Sequence, residues 1–522
     1  MYKKKFLAAA AAAAVIAAGC WGGAGSGSAS TGHFYDAAQG GASMAWSAWS
    51  AGWQRTAADF TNVSLAPGAD QTKLNFAWYS PAGSSSPVVY FGAGPSSLRE
   101  YRGVCAAVDS SLTGGAKYEY NHVTVSGLRE NSTYCYAVAK NGVKTALRRY
   151  RTGSFSNVRI LFVGDPQIGA SKGQTQDGGK LAADAGAANT AARNDGYAWM
   201  RTLETASAHN PSLSFMISAG DQVNKTGKPK EEEYAAYLAP KTLAGLAEAS
   251  TIGNHDSLNP DYSYHFFAPN MTQYGRTKAG GDYYYTYGPG LFIVLNTNNY
   301  NAAEHEKTVQ EAVKSAPGAK WRLVTIHQDI YGSGLDHSDS DGMILRTQLT
   351  PIFDKYKIDV VLQGHDHTYS RSRLLRGDGA VHGAYEFRLQ ADGSDYDWDH
   401  AFNKNTGASL PLAPDKNDAG GAAAKKAFDR DNRCYSVSAA GVQTVTNPDG
   451  ILYITANSAS GSKFYELIST QQDYIAKRSQ NWLPSYSVIG LTPSVFKIDT
   501  YQITPDGSPK KIDETFTIRK TK

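Results

Sequence analysis

The sequence predicts two folded parts in series: a β-sandwich over residues 56–152 and an α/β sandwich domain over residues 153–522. Three observations carry this. Between Thr56 and Thr152 apolar residues alternate with others, as at Leu74, Phe76 and Trp78, the period of a strand with one buried face. After Gly153 short apolar runs alternate with helical stretches. Five of those later runs end in Asp, Asn or His. The length of 522 residues allows two or three domains with large cores. Hydrophobic content of 41% and charged content of 19% are those of a globular protein.

Residues 1–20 read as a targeting segment. Lys3, Lys4 and Lys5 precede the short apolar run from Phe6 to Ala18, and Ala17-Ala18-Gly19 supplies small residues before Cys20. That order resembles a bacterial lipobox, with Ala17 where Leu is usual. It implies export, with a lipid anchor on Cys20 in the cell envelope, or plain secretion. The apolar run is too short to span a bilayer comfortably. Residues 21–55 read as a flexible tether, because Gly22 to Gly32 is rich in Gly, Ser and Ala. Without the three leader lysines the chain carries 48 basic against 47 acidic residues. That balance gives no reason to expect a nucleic-acid partner. Of the cysteines beyond Cys20, Cys105 and Cys135 are the expected disulfide pair, leaving Cys434, although sequence does not fix the pairing.

In the sandwich, Val88 to Phe91, His122 to Val125 and Thr133 to Ala139 are further strands, and Asn141-Gly142 is a hairpin turn. No ligand cluster stands out, and His122 reads as a half-exposed strand residue. In the second part, Val158 to Val163 is a strand, followed by an expected mobile loop from Gly169 to Asp195. Trp199, Leu203 and Ala206 suggest a helix, Leu213 to Ser218 a strand, and Glu231 to Leu246 a helix interrupted at Pro240. Tyr283 to Asn296 is a hairpin turning at Gly288-Pro289-Gly290, and Trp321 to Ile326 is a strand. A helix around Met343 to Tyr356 is expected to break or restart at Pro351. Ile358 to Leu362, Ile451 to Thr455 and Val495 to Ile503 are later strands. Residues 373–449, rich in Gly, Asp and Ala, read as an irregular insertion.

The strand ends carry the chemistry. They are Asp165, Asp221, Asn254-His255-Asp256, His327, and Gly364-His365-Asp366-His367. Singly each has a plain structural explanation: Gly-Asp is a common turn, Asn254 can cap a helix, His327 can be a bonded core histidine. Together and in this order they suit a metal site, since ligands of α/β sheets gather at strand carboxyl ends and imidazole is the commonest protein metal ligand.

The order Gly-Asp, Gly-Asp-x-x, Gly-Asn-His-Asp, lone His and Gly-His-x-His resembles the calcineurin-like metallophosphoesterase superfamily. The leading domain, with its Leu128 to Tyr134 spacing, resembles fibronectin type III domains and the N-terminal domain of purple acid phosphatases. Gly364 to Arg371 is similar to that family's last block. The resemblance implies a metallophosphoesterase α/β sandwich with two divalent or trivalent ions, Fe, Mn or Zn. It implies that Asp221 is shared, that Asp165 and His367 complete one site, and that Asn254, His327 and His365 complete the other. His255 would donate a proton to the leaving oxygen, oriented by Asp256.

Two positions depart from the pattern. Gln167 stands where many superfamily members have His, and Asn224 stands where purple acid phosphatases have Tyr. No purple colour is expected, and Gln167 either lends its amide oxygen or leaves the place to water. The resemblance implies an exported hydrolase of small phosphomonoesters. A phosphodiesterase or nucleotidase is the alternative, with Tyr262–Tyr264 and Tyr283–Tyr287 available to stack a base. A surface-binding protein with a decayed site is a third reading, against which Asn254, His255, His327, His365 and His367 are all present, although the first metal site has lost a strong ligand by either comparison.

Overall fold

The computed structural model describes residues 44–83, 86–171, 190–335, 337–338, 341–390, 396–397, 400–412, 417–439 and 443–521. The expected leader, Cys20, most of the tether and residues 172–189 lie outside the described residues. Among the described residues no helix is long and apolar enough to cross a membrane.

The first domain is a two-sheet sandwich. Strands Ser64–Pro67, Lys73–Pro81, Tyr118–Ser126 and Val104–Ala107 make one sheet in that order. Arg99–Arg102, Val88–Gly92, Thr133–Lys140, Val143–Lys144 and Arg148–Arg151 make the other. Leu74, Phe76 and Trp78 are fully buried between them. The Tyr134 hydroxyl accepts a bond from the Arg129 N–H at 2.8 Å, closing a tyrosine corner. Asn141 and Gly142 both take positive φ, as a two-residue hairpin turn requires.

The second domain is a four-layer sandwich in which an eight-stranded and a seven-stranded sheet face each other between helices. Alternation along each strand builds it. Ile160, Phe162, Phe215 and Ile217 meet Phe292, Val294, Val360 and Leu362 between the sheets. Leu161 and Val163 point outward under the helices Thr190–His209 and Glu231–Leu238. Ile293, Val324 and Val361 lie under Ala302–Ser315 and Asp341–Lys355. Val158–Val163, Phe215–Ser218 and Glu248–Ser250 run parallel. So do Gly290–Val294, Trp321–Thr325, Val360–Gln363 and Leu452–Thr455. A parallel bridge from Gly164 to Ser458 joins the two sheets at their carboxyl ends.

Several expectations are corrected. Residues 44–57 of the assumed tether and its border are a helix whose Trp46, Trp49 and Trp53 share one face, with Trp53 buried in the second domain's core. Cys105, Cys135 and Cys434 are free thiols. Cys105 sits on an edge strand of one sheet and Cys135 within the other. Cys105 is exposed to solvent and Cys135 is half-buried, and the two thiols are not joined. Pro351 lies inside an unbroken helix, Asp341–Lys355, where buried Leu349 and Phe353 offset the lost backbone bond. The described residues of the insertion build structure of their own: Tyr385–Glu386, His400–Asn403 and Ser409–Pro411 form a small sheet, and Phe428 of helix Ala419–Asp431 joins a core with Phe387 and Leu412. Its Gly, Asp and Ala content hid strands too short to show a period. His122 lies against the second domain, its ring stacked on Phe267 at 4.4 Å.

Arg371 closes the metal-motif strand onto the C-terminal one. Its guanidinium donates to both oxygens of buried Asp513, at 2.6 and 3.2 Å, and Tyr369 donates to the same carboxylate at 2.8 Å. Arg371→Ala leaves that buried carboxylate without its cation, held by the Tyr369 hydroxyl alone, and is expected to cost about 3–5 kcal/mol; a denaturant midpoint like that of the wild type would refute this. Glu248, buried at the head of its strand, accepts from the Tyr237 hydroxyl at 2.7 Å, and burial pushes its carboxyl up to about 8. The folded state favours the neutral acid, so this contribution is whole below the unfolded pKa of about 4.3 and is lost as pH rises through the folded one. Glu248→Gln keeps the acceptor and is expected to gain on the wild type between about pH 5 and pH 8, read from paired melts.

Candidate metal centre

Each candidate side chain stands just past a strand that the sandwich holds rigid. Asp165 follows Val158–Val163, Asp221 follows Phe215–Ser218, and Asn254 follows Glu248–Ser250. His327 follows Trp321–Thr325, and His365 and His367 follow Val360–Gln363. The backbone turns left-handed as it leaves: φ is 47° at Asp165, 38° at Gln167, 49° at Asp221, 70° at His365 and 47° at His367. Such conformations cost about 1–3 kcal/mol each in non-glycine residues and persist where the surroundings impose them. Two glycines permit the crowding. A Cβ on Gly253 would lie 2.0 Å from Asp221 Oδ1, and one on Gly364 would lie 2.6 Å from Asp165 Oδ2.

The expected metal ligands therefore meet at one edge. One donor atom each from Asp221, His327 and His365 lies within 4.8 Å of the others, as does one each from Asp165, Asp221 and His367. Asp221 is common to both groups. His327 Nδ1 bonds the Ala219 carbonyl at 2.9 Å, which makes Nδ1 the protonated nitrogen. Its Nε2 lone pair then faces Asn254 Oδ1 at 2.9 Å and Asp221 Oδ1 at 3.5 Å. His367 Nδ1 donates likewise to the Lys463 carbonyl at 2.9 Å, turning Nε2 toward Asp165 Oδ1 at 3.7 Å. His365 Nδ1 also lies 3.2 Å from His327 Nε2, and ligating atoms that crowd together in this way are a setting for cations.

The electrostatics agree. Burial pushes the Asp165 carboxyl well up, and the Asp221 charge pushes it further. Burial opposes ionisation of Asp221 too, but His327, His255 and His365 around it hold it down to about 2. Burial lowers His327 to about 4, so this imidazole is neutral, the form that ligates. The donor set of carboxylate, amide oxygen and imidazole fits Mn, Fe or Zn. The Oε1 of Gln167 is buried with no hydrogen-bond partner among the described residues, an orphan that a cation would satisfy.

His255 lies at the mouth, its side chain 20% exposed and its Nε2 3.9 Å from Asp221 Oδ2. Its Nδ1 bonds the Asn224 carbonyl and, at 3.0 Å, the Thr226 hydroxyl, while the Gln167 amide contacts its Nε2 at 2.8 Å. Asp256 does not orient it. That carboxylate accepts from the Gly253 N–H at 3.0 Å and the Tyr234 hydroxyl at 3.3 Å, bracing the loop. The tyrosines expected to stack a base are committed elsewhere: Tyr262, Tyr283, Tyr285 and Tyr287 are core residues, and Tyr264 stacks on Tyr120 at 4.7 Å.

Sequence reasoning missed a sixth strand end, Ala456 to Lys463, after Leu452–Thr455. Ser458 Oγ donates to the Asp165 carbonyl at 2.9 Å, and Ser460 and Ser462 donate to that of Pro166. The run Ser458-Ala-Ser-Gly-Ser462 behind an apolar strand was the available signal.

Residues 158–369 match the family model described as Calcineurin-like phosphoesterase, and residues 60–156 the one described as Purple acid Phosphatase, N-terminal domain. An uncharacterized protein of Mycobacterium tuberculosis is 24% identical over 279 residues, covering 49% of this chain and 51% of its own. The chain thus spans about half the length of that relative. The Fe(3+)-Zn(2+) purple acid phosphatase 12 of Arabidopsis thaliana is 40% identical over 55 residues, 10% of this chain and 12% of that one. Among solved structures, purple acid phosphatase PPD1 from yellow lupin (Lupinus luteus) seeds superposes with a TM-score of 0.58 at 12% identity, over 88% of this chain and 75% of that one. PhoD gives a TM-score of 0.51 at 12% identity, over 88% and 91%. Both show likeness of fold.

Asp221→Asn weakens the one carboxylate that both groups share. Metal analysis of the purified variant is expected to show loss from both positions, while Asp165→Asn spares the Asn254, His327 and His365 side. Full metal content in Asp221→Asn would sink the sharing.

Proposed function

We propose that this chain, which carries a calcineurin-like metallophosphoesterase domain behind a purple acid phosphatase N-terminal domain, hydrolyses small phosphomonoesters with two bound cations. The observation that carries the reading is Asp221 standing in both ligand groups, with His255 beside it at the solvent-facing mouth. Cations bound there supply Lewis-acid charge for phosphoryl transfer and acidify the attacking water.

The chain's own residues do the rest. Asp165 and His367 hold one side, and Asn254, His327 and His365 hold the other. The carbonyls of Ala219 and Lys463 fix the ring orientations of His327 and His367. His255 is pinned through Nδ1 to the Asn224 carbonyl, so Nε2 is the nitrogen presented to substrate. Protonated there, it hands its proton to the departing alkoxide oxygen. Gln167, whose amide contacts Nε2 at 2.8 Å, gives up that contact when the leaving oxygen arrives. The leader pattern from Lys3 to Cys20 supports export, with lipid anchoring at Cys20 as the form of attachment. The Arabidopsis relative's name supports a phosphatase, while Asn224 in place of tyrosine supports a colourless one.

The test is hydrolysis of p-nitrophenyl phosphate beside bis-p-nitrophenyl phosphate, after chelation and resupply of Mn, Fe or Zn. Monoester turnover restored by metal is expected, with His255→Ala lowering kcat about 100-fold or more at unchanged metal content. Turnover of the diester alone, or a fully active His255→Ala, overturns the reading.

A further inference from the structure

Lys463 sits in the missed loop, and the loop is fixed from both sides. Ala456 N–H donates to the Gln363 carbonyl and Ala459 N–H to the Gly164 carbonyl, each at 2.9 Å. The buried hydroxyls of Ser458, Ser460 and Ser462 tie it to the Asp165-Pro166 turn. The Lys463 carbonyl itself receives His367 Nδ1–H. Its backbone position is therefore set by the same bonds that orient a candidate ligand.

The side chain lies next to the site, over a ring that touches it. The ammonium lies 4.7 Å from the centre of the Tyr465 ring, and that ring stands edge-on 5.2 Å from His367 and 5.0 Å from His337. Its positive charge acts on Asp165, His255, His337 and His367 together. Among the described residues no carboxylate forms an ion pair with it. A half-buried lysine held against an aromatic ring next to the candidate ligands, with no acid ion-paired to it among the described residues, is placed to meet an anion.

We infer that Lys463 binds the non-bridging oxygens of the substrate phosphoryl group and so sets a preference for monoesters over diesters. The inference rests on the phosphatase reading for its substrate. A monoester is close to a dianion at neutral pH and keeps three terminal oxygens. A diester carries one charge and has one of those oxygens alkylated. A cation outside the two ligand groups gains from the extra charge and the free oxygen, which the diester lacks.

Calorimetric titration of inorganic phosphate into the metal-loaded full chain tests this without turnover. K463Q is expected to bind phosphate roughly tenfold or more weaker, as loss of a charged hydrogen bond implies. K463R should recover most of the loss, and K463M serves as the second neutral variant should K463Q not fold. In turnover, the neutral variants should raise KM for p-nitrophenyl phosphate more than they lower kcat, with KM for bis-p-nitrophenyl phosphate unmoved. Unchanged phosphate affinity in the neutral variants, an equal loss for the diester, or a wild type that binds no phosphate overturns the inference. A wild type that binds phosphate through Lys463 yet turns over no monoester sinks the phosphatase reading and leaves Lys463 standing.

Discussion

The structure depends on two carboxylates, Asp165 and Asp221, held out of water where two sheets meet. Burying like charges side by side is costly unless cations answer them. The surrounding features serve that arrangement. Left-handed turns aim the carboxylates inward, glycines clear the space, and buried imidazoles stay neutral to ligate. Backbone N–H groups of His255 and His365 reach Asp221 and Asp165 at 2.9 Å, so each carboxylate is also locked to the loop that carries a neighbouring histidine.

The first domain contributes by bracing the loop that carries His255. Tyr79 of the sandwich donates to Glu231 at 2.9 Å, and Glu231 meets His265 at 2.7 Å, whose ring stacks on Tyr79 at 4.4 Å. Asn75 donates to the Phe267 carbonyl at 2.9 Å. On the far side Lys230, fully buried, donates to the His255 carbonyl at 2.7 Å. The segment behind the candidate acid is thus gripped by both domains, and the entropy of a long loop is removed before substrate arrives.

The strand ends were legible because polar residues there break an apolar pattern, which packing alone does not explain. Asp165, Asp221 and the His365-His367 pair announced themselves in that way. Ser485–Leu491 did not: it is buried along its whole length, so it shows no alternation, and its place beside Val158–Val163 is a long-range pairing. The helix Met44–Ala57 was masked by small residues around its tryptophans. Lys463 was invisible for another reason. Its role depends on three serines and a ring that only the fold brings next to Asp165 and His367.

That strand order has a kinetic meaning. The first sheet is completed by Ser485–Leu491 and Val495–Ile503, and Phe516–Arg519 closes beside them, so the early strands wait for almost the whole chain. Arg371 finds Asp513 only then. Contacts so far apart in sequence form late and slowly. The sheet that presents Asp165 and Asp221 is therefore completed only once Ser485–Leu491 pairs with Val158–Val163, after the sheet that presents His327, His365 and His367 has all its strands.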